Sequence, residues 1–199
     1  MPSIDGENAF NDLIEERSID CQESELSENQ RLQRICRNAI VREGEEISNE
    51  KQKWSSIFKI ERLTIESYCD IVALWTRANL PFRPSGRESK RALTAQMKTS
   101  PDFFLGAYDN VRLVGVVFIS CDGRKGWINR LAVDPKYRRR GIAKTLVARA
   151  EKILQEHKVE VFCALVKCSN MASRNLFQKS GYTQHNDILY FSKRMHDEA

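Results

Sequence analysis

The run Asn129-Arg-Leu-Ala-Val-Asp-Pro-Lys-Tyr-Arg-Arg-Arg-Gly-Ile-Ala-Lys-Thr-Leu-Val-Ala-Arg-Ala-Glu-Lys-Ile-Leu154 decides the fold. An apolar stretch ends at Val133, Asp134-Pro135 interrupts it, and Gly141 removes side-chain bulk where the chain must turn tightly into the next element. Ile142, Leu146, Ala150, Ile153 and Leu154 then recur at helical spacing, which predicts a helix with one buried face. The first-turn amides of a helix have no partner inside it and lie at the positive end of its dipole, so they seat an anion. Arg138, Arg139 and Arg140 surround that seat with fixed positive charge. Strand, arginine-glycine turn and helix N-terminus together predict a phosphate-bearing ligand, the alternative being three solvated surface arginines. The turn is neither a Gly-x-x-x-x-Gly-Lys-Ser/Thr loop nor a Gly-x-Gly-x-x-Gly dinucleotide fingerprint.

Upstream, Ser56 to Arg62 alternates as a first strand, and Thr64 is placed to cap an amphipathic helix carrying Ile65, Tyr68, Ile71, Val72 and Trp75. Leu80-Pro-Phe-Arg-Pro-Ser-Gly-Arg87 breaks that helix, and a second follows over roughly Glu88 to Lys98. Phe103 to Tyr108 and Val111 to Cys121 flank Asp109-Asn110, which reads as a hairpin turn, and Asp122-Gly123 begins a second turn into the strand ending at Val133. Downstream, Glu160 to Leu165 reads as a buried strand reached by a crossover, hence parallel to its neighbour. A helix over Met171 to Ser180 ends at Gly181, and Ile188 to Ser192 reads as a last strand.

Two stretches in this order resemble a known family. Arg138-x-x-Gly141-x-Ala143, after Leu131-Ala-Val-Asp-Pro135, resembles motif A of the GNAT acetyltransferases, Gln/Arg-x-x-Gly-x-Gly/Ala; Asn170-Met-Ala-Ser-Arg-Asn-Leu-Phe-Gln-Lys-Ser-Gly-Tyr182 resembles their motif B. The resemblance covers about Ile57 to Met195, and its Gly123 to Met195 half is most similar to a little-characterised bacterial acetyltransferase subgroup. It implies the α/β GNAT fold: a mixed sheet in the order β-α-α-β-β-β-α-β-α-β with a splay between the fourth and fifth strands. It further implies an acetyl-CoA-dependent N-acetyltransferase acting on a primary amine of an unidentified small molecule or protein. Carried over by motif, Leu131 and Val133 would hold the pantetheine arm through their main chain. The backbone from Arg138 through Arg139, Arg140, Gly141 and Ile142 to Ala143 would hold the pyrophosphate. Asn170 matches the asparagine whose side chain contacts the cofactor; from spacing alone it reads equally as a helix cap. Phe177 stands where the family often places a tyrosine as general acid, its ring expected to point towards the thioester sulfur.

Acyl transfer to an amine needs a proton acceptor. Many relatives place a carboxylate on the strand that here reads Gly126-Trp-Ile-Asn-Arg130, which has none. Glu88, in the loop on the acceptor side, is the first candidate for the base, and Asp122 acting through a water chain the second. Arg83 and Arg87 flank that Pro/Gly loop and suit an acceptor with a carboxylate or phosphate near its amine. An acyl-CoA-binding module that has lost chemistry and serves in sensing or interaction is the alternative to an enzyme.

Charge is distributed unevenly. Residues 1–50 hold 5 Lys/Arg and 13 Asp/Glu, a net of −8, so that the remaining 27 and 14 leave residues 51–199 at +13. The basic part suits a polyanionic nucleotide cofactor, while no aromatic-interleaved motif or recognition helix points to nucleic acid. Residues 1–54 are expected to be an acidic extension, largely disordered, with a helix over 27–42 capped by Ser27, and the resemblance implies a GNAT acetyltransferase domain over residues 55–199. Six cysteines without Cys-x-x-Cys and three histidines predict reduced thiols and no metal site. The absence of a membrane-length apolar run or a basic leader predicts a cytoplasmic protein. The oligomeric state stays open between monomer and homodimer.

Overall fold

The computed structural model describes residues 58–196. The acidic extension, its helix over 27–42 and the boundary at residue 54 lie outside the described residues.

Strands β1 (Lys59–Arg62), β2 (Phe104–Asp109), β3 (Arg112–Cys121), β4 (Gly126–Val133) and β5 (Phe162–Cys163) form one sheet in the order β1-β2-β3-β4-β5. The first four pair antiparallel and β5 pairs parallel with β4. Helices α1 (Tyr68–Arg77) and α2 (Lys90–Thr99) lie between β1 and β2, α3 (Ile142–Glu156) between β4 and β5, and α4 (Met171–Lys179) follows β5. The predicted order β-α-α-β-β-β-α-β-α is therefore present.

β3 explains why the sheet is covered on both faces. Phe118 stacks edge-on against Trp75 of α1, with ring centroids 5.4 Å apart. A Cβ on Gly115, on the opposite face of the pleat, would meet Ile142 at 2.8 Å and Leu146 at 3.1 Å, both from α3. Leu113 to Ile119 are accordingly all buried, as expected of a strand with no solvated side.

Local details depart from the sequence reading. Thr64 makes no capping bond; a short 3-10 turn, Ile65–Ser67, leads into α1 instead. α2 begins at Lys90 because Ser89 caps it, its hydroxyl accepting from the Ala92 amide, so Glu88 stays in the preceding loop. The β2–β3 turn is Asn110-Val111, with Asn110 at φ 52° and Asp109 still paired to Arg112. β5 shrinks to two half-buried residues. The expected last strand does not form: Ile188, Leu189, Tyr190 and Phe191 are 66–84% exposed and outside any ladder. Strand propensity measures fit to a half-buried pleat, and no neighbouring strand offers one there.

At the start of β4, an added Cβ on Gly126 would lie 2.5 Å from the methyls of fully buried Leu154. Gly126→Ala is expected to destabilise the fold by about 1–3 kcal/mol, lowering the melting temperature by roughly 3–8 °C in a thermal scan.

Candidate active site

β4 and β5 touch only at their beginnings. Gly126 pairs with Phe162 and Trp127 with Cys163, after which β4 runs on to Val133 without a partner on that side. A bulge lies in the free part. Val116 pairs with Ala132 and Phe118 with Asn129, so Arg130 and Leu131 together oppose Val117, and Arg130 takes φ 52°. The extra residue reverses the alternation of the strand. In the paired part the Gly126 amide faces β5, donating to Val161 O at 2.9 Å. Beyond the bulge the Asp134 amide donates to Val114 O, which makes Gly115–Val133 a non-hydrogen-bonded pair. The main-chain groups of Val133, and of Leu131 two residues earlier, therefore face the gap rather than β3. The splay expected between the fourth and fifth strands is thus present, with those two residues on its edge.

The gap opens towards the N-terminus of α3. Gly141, at φ 84°, precedes the helix, and a Cβ there would meet nothing within 4 Å. Thr145 is the first helix residue whose amide finds a backbone acceptor, Gly141 O at 3.0 Å, so the amides of Ile142, Ala143 and Lys144 point outwards unused by the helix. Arg138, Arg139 and Arg140 are exposed around them. Two are tethered: Arg138 donates to Val133 O at 3.3 Å and Ala78 O at 3.4 Å, and Arg140 to Lys136 O at 3.1 Å with its guanidinium 4.9 Å from the Tyr137 ring centroid. Arg139 sits in the left-handed region at φ 66°.

On the other side of β4, the loop between α1 and α2 is built around Glu88, which is 4% exposed. One carboxylate oxygen accepts from Arg87 Nε at 2.7 Å and from Arg130 Nη2; the other accepts from the Arg83 amide at 2.8 Å. Tyr68 donates to the Glu88 carbonyl at 3.2 Å. Arg130 also donates to Pro81 O and lies 5.4 Å from the Trp75 ring centroid. Burial disfavours its charge and Glu88 opposes that effect. A cleft of ≈ 390 Å³ adjoins this cluster, lined by Trp75, Thr76, Asn79, Leu80, Pro81 and Phe82. Glu88 is therefore the buried anion that holds the loop to the bulge. Three donors hold its two oxygens, two on Oε1 and one on Oε2, so the carboxylate is engaged as an ion-pair partner. Arg87 contributes its side chain to the same knot, and Arg83 contributes its amide.

Asp122 is not brought to the gap. It lies beyond the closed, β5-paired end of β4 and accepts from the Lys125 amide at 2.7 Å and the Arg124 amide at 2.8 Å. Those two bonds hold its carboxyl below the usual aspartate value. At the start of α4, Asn170 Oδ1 accepts from the Ser173 amide at 3.1 Å, so its side-chain oxygen serves as the helix cap. Phe177 is 8% exposed and packs edge-on against Tyr182, with centroids 5.0 Å apart. Burial lifts the Tyr182 phenol well above the ordinary tyrosine value. Sequence reasoning missed Arg130 as the link between loop and bulge; a lone arginine inside an otherwise uncharged strand was the available signal.

The sheet is thus split after its fourth strand, and the first-turn amides of α3 lie at the end of the split. Residues 69–182 match the Acetyltransferase (GNAT) family, and the chain belongs to that family. It is similar to acetyltransferase SG1711 of Sodalis glossinidius, 29% identical over 130 residues that cover 65% of this chain and 90% of that one. It is likewise similar to acetyltransferase plu1384 of Photorhabdus laumondii, 30% identical over 131 residues with the same coverage of each chain. Its fold is similar to that of the PaiA N-acetyltransferase from Thermoplasma acidophilum, solved with coenzyme A. That match has TM-score 0.54 and 24% identity, covering 62% of this chain and 87% of that one. No helix among the described residues is long and apolar enough to cross a membrane.

Glu88→Gln keeps the shape of the buried carboxylate but leaves Arg87 and Arg130 without its charge. It is expected to cost about 2–4 kcal/mol, seen as a lower urea midpoint at unchanged slope.

Proposed function

We propose that the chain is an N-acetyltransferase that uses acetyl-CoA as co-substrate and acetylates a primary amine of a small molecule or protein. The observation that carries this reading is the bulge in β4. It turns the main chain of Leu131 and Val133 into a gap that leads to the unused amides of α3. Leu131 and Val133 would pair with the pantetheine amides, although the Val133 carbonyl already accepts from Arg138, so its N–H is the group on offer. The turn from Arg138 to Ala143 would hold the diphosphate, with open space at Gly141 admitting it. Acetyl-CoA would supply the acetyl group as a thioester, whose C–S bond breaks as the C–N bond forms. Asn170 retains its side-chain amide N–H groups for the cofactor while its oxygen caps α4. Phe177 brings apolar surface and no proton.

The acceptor would enter beside the Glu88 cluster. The guanidiniums of Arg87 and Arg130 outnumber the single Glu88 carboxylate they share, which supports an acceptor bearing a carboxylate or phosphate near its amine. Glu88 then acts by positioning Arg130 and the loop, and the amine proton passes to solvent. Thiols at Cys69, Cys121, Cys163 and Cys168, all free, agree with a cytoplasmic setting.

The ion pairs of Glu88 with Arg87 and Arg130, the remoteness of Asp122 and the phenyl ring at position 177 favour one second reading, an acyl-CoA-binding module without turnover. Thiol release from acetyl-CoA over an amine and acidic-peptide panel separates the two: release above the hydrolytic background requires the enzyme. Gly141→Glu tests the seat itself. The space is open but a side chain at φ 84° strains the turn, and a carboxylate beside the diphosphate adds repulsion, so acetyl-CoA binding is expected to weaken at least about tenfold by calorimetry. Unchanged affinity would sink the assignment. With the best acceptor found, Arg83→Ala/Arg87→Ala is expected to raise its KM several-fold, and an unaltered KM would rule out an acidic acceptor group.

A further inference from the structure

Asp134 is 1% exposed and collects donors from three directions. Its Oδ2 accepts from Arg77 Nε at 2.9 Å, at the C-terminal end of α1, and from Arg112 Nη2 at 3.3 Å, at the start of β3. Its Oδ1 accepts from the Lys136 amide at 3.0 Å, and its carbonyl from the Tyr137 amide at 2.8 Å, which together shape the 3-10 turn Pro135–Tyr137. Its own amide fixes the residue to Val114 of β3. The turn that seats the anion begins at the next residue, Arg138.

Two contacts carry this anchorage into the seat. The Tyr137 ring lies between two guanidiniums, Arg112 at 5.8 Å and Arg140 at 4.9 Å, so the arginine that pairs with Asp134 also backs the ring on which Arg140 rests. Arg138 donates to Ala78 O, one residue beyond Arg77, so α1 and the turn are strapped twice, once in each direction. We infer that Asp134 is a positioning residue for the diphosphate of the donor: its carboxylate sets where the Arg138–Ala143 turn and the Arg140 guanidinium stand, without touching the ligand. This rests on the reading of that turn as the acetyl-CoA seat.

Asp134→Asn is the informative change. The amide oxygen can still accept from Lys136, so the turn keeps its local bond, but the charge shared by Arg77 and Arg112 is gone. Wild-type and variant proteins are compared for affinity towards coenzyme A by calorimetry and towards S-acetylpantetheine, which lacks the diphosphate, by NMR titration. The expected result is a loss of at least about tenfold for coenzyme A with S-acetylpantetheine unchanged within about twofold. Equal losses for both ligands would mean that Asp134 only supports the fold, and full retention of coenzyme A affinity would remove any role; either overturns the inference. Should Asp134→Asn fail to fold, Arg112→Gln, at a side chain 21% exposed, breaks the same chain of contacts and is read by the same comparison. A wild-type protein that binds no coenzyme A would overturn the seat itself, a result distinct from wild-type binding with the variant ratio unmoved.

Discussion

One surplus residue in β4 governs the functional half of the molecule. Because Arg130 and Leu131 share a single partner on β3, the strand changes which residues present their main chain to each side. Before the bulge β4 is an ordinary parallel neighbour of β5; after it, the strand offers N–H and C=O groups to a space that β5 has left. A regular β4 would place Arg130 and Ala132 on that edge instead. The left-handed conformation of Arg130, uncommon for a residue with a Cβ, is held by its contacts with Glu88, Pro81 and Trp75. The irregular strand and the loop between α1 and α2 therefore stabilise one another.

The protein uses one device twice. Glu88 and Asp134 are its two buried polar residues among those described, and each pairs with arginines: Glu88 with adjacent Arg87 and distant Arg130, Asp134 with Arg77 and Arg112. Glu88 joins its loop to β4, whereas Asp134 joins α1 and β3 to the phosphate turn. Buried pairs of this kind return little net stability once desolvation is counted, but they are costly to break. Their effect is to fix where flexible arginines end up, and both sit beside surfaces that would meet a substrate.

Much of this was legible in the sequence where the signal is local. The Val133 to Leu154 run contains its own strand end, glycine turn and helix face, and the structure reproduces each. The hairpins and α4 with its terminal glycine follow for the same reason. What escaped is non-local. The bulge exists only in the pairing of β4 with β3, and Glu88 lies 42 residues from the guanidinium that completes its cage. From the sequence Glu88 is a carboxylate in an arginine-rich loop, and only the tertiary partner shows that it ties that loop to the bulge. Ile188 to Ser192 fails in the opposite sense, since its composition promises a strand that no neighbouring edge supports.

The double strap between α1 and the Arg138–Ala143 turn has an energetic consequence. α1 ends at Arg77, the carbonyl of the next residue, Ala78, accepts from Arg138, and Pro81, Arg83 and Glu88 follow in the loop that leads on from it. The loop and the Arg138–Ala143 turn thus hang from the same helix end. If donor and acceptor bind at these two places, as proposed, whatever free energy occupancy of one contributes at the other is returned in equal measure, and the helix end would be the element that couples them.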